Sequence, residues 1–227
     1  MTTFTFGLIT EGLTDQIVIE NILSGYFNTN DLSVHPLQPE RDKDNDNKSG
    51  HGGWTLVFEY CKSEDFKKAF QFNKYVIIHI DTDVLDGYEG ISYHDKNGEL
   101  SPEQLIEKVK EKFKSGIGEV FYSDHSHRII FAIAVDSTEC WLLPLYYKEE
   151  SKQQKITGCL RALNDAINKK KKFTIDKNAK NPDYYRIVSD PYSKHKKLMK
   201  NYQNNPSLNS FIEEIESKNI VIIDSDD

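Results

Sequence analysis

Residues 74–84 read KYVIIHIDTDV, an unbroken apolar run that ends in two carboxylates, Asp81 and Asp83. An apolar run without polar alternation marks a parallel strand covered on both faces, since an open face would leave Val or Ile in water. We read it as the central strand of an α/β sheet, with Asp81 at its carboxyl end. Upstream, FTFGLIT (residues 4–10) is a second short strand. It runs through Glu11-Gly12 into TDQIVIENILSGYF, where Ile17, Val18, Ile22, Leu23 and Tyr26 recur at helical spacing. Thr14 is expected to cap that helix, with Asp15 in its first turn complementing the helix dipole. A further strand is expected from Ser33 to Leu37.

Residues 39–53 are almost wholly polar and are expected to form a surface loop, followed by a helix from Trp54 to Ala69. A long loop from Val84 to Leu100 leads to Ser101-Pro102-Glu103-Gln104. That stretch combines an N-cap serine, a proline at the first helical position and a capping-box glutamine, so a helix to Lys114 is expected. Ile129 to Val135 is another buried strand. Strands alternating with helices imply an α/β fold, a parallel sheet of about four strands flanked by helices. Beyond Trp141 helical stretches are expected at Lys155–Lys172 and Ser207–Lys218, separated by a polar connector containing tyrosines. The chain therefore divides into an α/β catalytic domain, residues 1–147, and a basic helical C-terminal extension, residues 148–227, packed on the same domain.

A chain of 227 residues buries enough apolar surface for one full core without a staple. Its net charge of −7 argues against indiscriminate coating of nucleic acid, but the charge is unevenly spread. From Lys148 to Lys200 there are 15 basic against 6 acidic side chains, a net of about +9, leaving about −16 elsewhere. An acidic body with a basic C-terminal part suits an enzyme that acts on a polyanion, although a lysine-rich helix face also accounts for it. Cys61, Cys140 and Cys159 lack paired spacing and are read as reduced, buried thiols. With no apolar run long enough to span a bilayer, no membrane partner and a cytoplasmic location are expected.

Ligands of an open parallel sheet bind beyond the carboxyl ends of its strands. Glu11 follows the first strand, Asp81 and Asp83 the central one, and Asp136 and Glu139 the strand after that. If these strands are neighbours, the carboxylates share one crevice. Crowded carboxylates raise one another's pKa and call for a cation, for which Mg²⁺, or Mn²⁺, is the natural oxygen-seeking choice. A D-x-D after a buried strand also fits a phosphatase of the haloacid dehalogenase kind, in which Asp81 would be nucleophile and Asp83 general acid. His79 is read as a core histidine, and His125 and His127 as surface residues. PYSKHKKLMKNY (residues 191–202) interleaves Lys194, Lys196 and Lys197 with Tyr192 and Tyr202, a pattern for binding nucleic-acid phosphates and stacking bases, or for an ordinary basic helix face.

ITEGLTD (residues 9–15) followed much later by IDTDV (residues 80–84) resembles the Toprim domain of topoisomerases, bacterial primases and the overcoming-lysogenization-defect nucleases. The likeness covers roughly Thr3 to Val135. GGWTLVFEYC and VDSTECWLLP further resemble small bacterial Toprim-like proteins encoded beside ABC-type ATPases in defence loci. The resemblance implies that Glu11 acts as acid or base and that Asp81 and Asp83 bind Mg²⁺. It further implies Asp15 as a second acidic residue of the first motif and Glu139 as a metal or active-site residue. It also implies a Mg²⁺-dependent endonuclease acting on DNA or RNA, an effector of anti-phage defence with an ABC-type or AAA-type ATPase partner; a homo-oligomer is compatible with it. The likeness departs from topoisomerases in that no tyrosine-bearing domain of sufficient size is read from these residues, so covalent strand passage is not expected. A third reading is a non-catalytic Toprim-like adaptor or sensor for an ATPase.

Overall fold

A computed structural model describes residues 4–41, 53–83, 91–96 and 98–222. Among these the principal sheet is parallel and four-stranded, built from β1 (Phe4–Ile9), β2 (Val34–Gln38), β3 (Asn73–Asp81) and β6 (Ile129–Ala134) in the order β2-β1-β3-β6. A two-residue hairpin, β4 (His94–Asp95) with β5 (Gly98–Glu99), falls within the expected Val84–Leu100 loop, whose residues 84–90 and 97 lie outside the described residues. Most of the expected polar loop, residues 42–52, does so too.

Alternation along the strands decides what lies on each face. Phe6, Leu8, Ile77, Ile130, Ala132 and Ala134 join one apolar cluster, while Ile9, Val76, Ile78, Ile80, Ile129, Phe131 and Ile133 join another. The second cluster is closed by α2 (Trp54–Lys62), α3 (Glu64–Ala69), α4 (Pro102–Ile117) and α5 (Glu119–His125). The first is closed by α1 (Leu13–Phe27), α6 (Thr138–Tyr146), α8 (Cys159–Lys171), α9 (Pro182–Ser189), α10 (His195–Asn201) and α11 (Pro206–Ser217). A short helix, α7 (Glu150–Gln153), precedes α8. The C-terminal helices thus cover one face of the sheet and share the core of the strands. Gly25 of α1 shows how closely they pack: a Cβ there would fall 1.9 Å from the Tyr192 carbonyl oxygen, so only glycine admits the approach.

His79 and Asp81 share the face of Ile77 and pair in register with Ala132 and Ala134. Those small neighbours leave room for Trp141, which meets His79 edge-on and lies parallel to Phe211, its indole N–H donating to Ser207 Oγ at 2.8 Å. Burying that ring contributes on the order of 3 kcal/mol.

Four expectations are corrected. Thr14 does not cap α1: the helix begins at Leu13 after Gly12, without a side-chain cap, and Thr14 is buried within the first turn. The helix expected from Trp54 to Ala69 is two helices, because Ser63 turns extended and its hydroxyl accepts from Phe66 N, making it an N-cap instead of an interior residue. The connector between the C-terminal helices carries α9 and α10, each with apolar positions that reach the core. Cys140 and Cys159 are not separate thiols but a disulfide, because α6 packs on α8 and brings their Cα atoms within 5.0 Å despite a sequence separation of 19. Cys61 is buried and free. The capping box at Ser101 and Gln104 is present as read.

Candidate functional site

β1, β3 and β6 are neighbours, and their carboxyl ends open into one cleft of about 690 Å³. Glu11, Asp81, Asp83, Asp136 and Glu139 line it together with Ser137, Arg161, Lys177 and Lys180. The first turn after β1 is tied by Thr10, whose hydroxyl donates to the Gly12 carbonyl at 2.8 Å. This turns Glu11 toward β3, where Oε1 accepts the Asp81 backbone N–H at 2.7 Å. The ends of β3 and β6 stay paired beyond the strands: Thr82 N donates to Ala134 O, Asp83 N to Asp136 O, and Asp136 N to Thr82 Oγ1. Asp136 takes a left-handed backbone, φ 66°, a conformation that aspartate tolerates better than most residues.

Below Asp81 lies Thr138, the first residue of α6. Its backbone N–H and hydroxyl both reach Asp81 Oδ1 at 2.9 Å, and the same hydroxyl oxygen is 3.1 Å from Asp15 Oδ1 and 3.0 Å from His79 Nε2. Asp15, His79 and Asp81 offer ligand atoms that all lie within 4.8 Å of one another. A hydroxyl has one proton and two lone pairs. If imidazole Nε2–H donates to it, it can donate to only one of the two aspartates, so two acidic side chains compete there for a single proton, a place that suits a cation. His79 Nδ1 has no partner among the described residues.

The electrostatics point the same way. Burial, then Asp15, raise the Glu11 carboxyl to about 8, with Asp83 adding and Lys180 and the Asp81 N–H opposing. Burial and Asp15 push Asp81 well above the ordinary carboxylate range, and burial raises Asp83 and Asp136. His79 is held low by burial, as expected of a neutral core imidazole. Glu139 is the exception: burial pushes it up, but Lys180, the Tyr185 hydroxyl and Ser137 together hold it low. Lys180 Nζ lies 2.9 Å from Glu139 Oε1, which also accepts from the Tyr185 hydroxyl.

Of the residues singled out from sequence, Glu11, Asp81, Asp83 and Glu139 line the cleft, and Asp15 sits just behind its floor, 4% exposed. Glu139 lies in the first turn of α6 and does not cap it. Lys194, Lys196 and Lys197 are exposed but elsewhere: Lys194 and Lys196 line a hollow with Asn28, Thr29 and Asn30 at the other end of α1, about 22 Å from the cleft by the length of that helix. The basic side chains at the cleft are Arg161, Lys177 and Lys180, which the sequence alone does not single out. Lys180 has no periodic or motif context, standing in NAKNP between helices, whereas Thr138 was within reach as the neighbour of Glu139.

Oxygen ligands that burial and mutual repulsion leave reluctant to ionise fit a hard divalent cation such as Mg²⁺ or Mn²⁺, which would restore their charge. Among the described residues no helix is long and apolar enough to cross a membrane. Comparison with protein-family models, with curated proteins and with solved structures finds no match for this chain.

Proposed function

We propose that this chain is a divalent-metal-dependent nuclease of the Toprim kind, cleaving phosphodiester bonds of DNA or RNA in the acidic cleft. The observation that carries the reading is the convergence of Glu11, Asp81, Asp83 and Glu139, from three adjacent strand ends, on a cleft that also holds Arg161, Lys177 and Lys180. An acidic floor takes a cation and a basic wall takes a phosphate, and a phosphodiester needs both.

Asp81 and Asp83, with Glu11 or Asp15 beside them, would hold Mg²⁺ or Mn²⁺. When bound, the cation supplies charge neutralisation at a phosphoryl oxygen. Glu11, with its carboxyl raised to about 8, is suited to take up or give a proton near neutral pH. Lys180, anchored by Glu139, presents a fixed positive charge for an anion entering the cleft. Asp81 is 6% exposed and held by Thr138, which suits a ligand better than the nucleophile of a phosphatase. In this reading the protein is an effector of bacterial anti-phage defence, held in check by an ATPase partner.

The test is incubation of purified protein with single- and double-stranded DNA and with RNA, in Mg²⁺, Mn²⁺ or chelator, and repetition in the native gene neighbourhood. Breaks that need the cation and vanish in Asp81→Asn and Glu11→Ala support the reading. Full biological activity in Glu11→Ala overturns it.

A further inference from the structure

The wall of the same cleft carries a second set of metal-ligating atoms with different chemistry. Asp136 is fixed at its left-handed turn by Thr82 Oγ1 and the Asp83 N–H. Its carboxylate Oδ2 lies 3.4 Å from the Cys159 backbone N and 3.5 Å from Cys140 Sγ. A disulfide sulfur bears no hydrogen, so the approach of Cys140 is not a hydrogen bond. One carboxylate oxygen and two sulfurs all lie within 4.8 Å of one another. In a tetrahedral zinc site, with Zn–S about 2.3 Å and Zn–O about 2.0 Å, adjacent oxygen and sulfur ligands stand about 3.5 Å apart. Asp136 Oδ2 and Cys140 Sγ already have that spacing.

We propose that, once its disulfide is reduced, the Asp136, Cys140 and Cys159 cluster binds one thiophilic divalent ion, Zn²⁺ above all. A dithiol reductant gives two electrons and two protons to the S–S bond and itself becomes a disulfide. The two thiols then lose their protons as Zn²⁺ binds, and the sulfurs separate to about 3.8 Å. Disulfide and metal are thus alternative links between the first turn of α6, which carries Thr138 and Glu139, and the start of α8. Two thiolates select against Mg²⁺, so this site is separate from the carboxylate floor and does not rest on the nuclease reading. Asp136 and Cys159 both line the cleft, so the fourth position of the ion faces it, as in zinc sites that keep one position open.

The probe is Co²⁺, whose thiolate complexes absorb by charge transfer. The full chain is reduced with dithiothreitol, desalted without oxygen and titrated with Co²⁺ and then Zn²⁺, beside the oxidised chain. One equivalent of Co²⁺ should give the thiolate band in the reduced protein, Zn²⁺ should abolish it, and the oxidised protein should lack it. Asp136→Asn should weaken Zn²⁺ binding at least ~10-fold. The proposal fails if the reduced wild type shows no band at one equivalent. It fails equally if the Cys140→Ser/Cys159→Ser double variant keeps the band, which would assign it to Cys61. A reduced chain that loses its near-ultraviolet circular dichroism and does not regain it with Zn²⁺ also overturns it; because oxidised and reduced samples are one sequence, no substitution clouds that comparison.

Discussion

Lys180 Nζ stands 2.9 Å from Glu139 Oε1, and through that ion pair a loop of the C-terminal region enters a floor built by the strands of the N-terminal region. Glu139 is 1% exposed and would otherwise be an uncompensated buried charge beside Asp81. The lysine belongs to the acidic cluster as much as any carboxylate does, and residues 148–227 are for this reason part of the site.

Lys180→Met keeps the aliphatic stem and removes the charge. Loss of one partner of a fully buried pair costs roughly 3–5 kcal/mol. Here about 2 kcal/mol is expected, because the Lys180 side chain keeps 31% of its surface in water and Tyr185 still donates to Glu139. Urea unfolding measures this, and an unchanged midpoint would mean the pair contributes nothing. Cleavage, if present, should fall further than stability does.

The folded Glu11 carboxyl keeps its proton up to about pH 8, while the unfolded one loses it near 4.5. Between those values the folded state binds more protons than the unfolded, so stability falls as pH rises through that window. Asp81 and Asp83, also raised, act in the same direction, whereas the lowered Glu139 contributes stability that is lost only in acid, below its ordinary value. A cation that binds the ionised carboxylates offsets the loss. In chelator, Tm should drop between about pH 5 and about pH 8, and Mg²⁺ should raise it more at the upper end. A Tm in chelator that is flat or climbs across this range would contradict the assignment.

The strands were legible because KYVIIHID and IIFAIA are short, isoleucine-rich apolar runs of the length and composition of buried strands, and the acidic residues at their ends could be placed from the general geometry of open sheets. Sequence could not say that β1, β3 and β6 are adjacent; the site depends on that order. The break at Ser63 was hidden because the segment's apolar spacing carries through it and only the hydroxyl cap ends the helix. Lys180, Arg161 and the Cys140–Cys159 pair join the cleft through the packing of α6, α8 and the loop before α9, long-range packing with no local signature.

Thr138 offers a sharper probe of the floor than the carboxylates themselves. Its hydroxyl oxygen lies within 3.1 Å of Asp15, His79 and Asp81, so Thr138→Val leaves buried polar groups without a partner at a cost of about 1–3 kcal/mol. Thr138→Ser keeps the hydroxyl and should retain most of that. Chemical denaturation of the two variants separates them. A loss in Thr138→Ser alone would assign the effect to the packing of the methyl group, which Thr138→Val keeps.

Lys194, Lys196 and Lys197 lie about one α1 length, roughly 22 Å, from the cleft, which determines what they can do for a substrate. Phosphates in a duplex advance about 3.4 Å per step along each strand, so a nucleic acid occupying the cleft must extend some six or seven nucleotides to meet these lysines. A short oligonucleotide seated at Asp81 and Lys180 never reaches them. Replacing the three lysines with glutamate should therefore leave binding of a tetranucleotide unchanged. The same change should weaken binding of a substrate of about twenty nucleotides and lower the slope of its affinity against salt by up to about 2 to 3, roughly one for each phosphate that is no longer neutralised by a lysine. Fluorescence anisotropy with the two lengths across a salt series distinguishes the outcomes. If the long substrate binds the triple variant as tightly as wild type and with the same salt slope, these lysines form a solvated face or meet another partner. Arg161, Lys177 and Lys180 would then be left to hold the polyanion at the cleft itself.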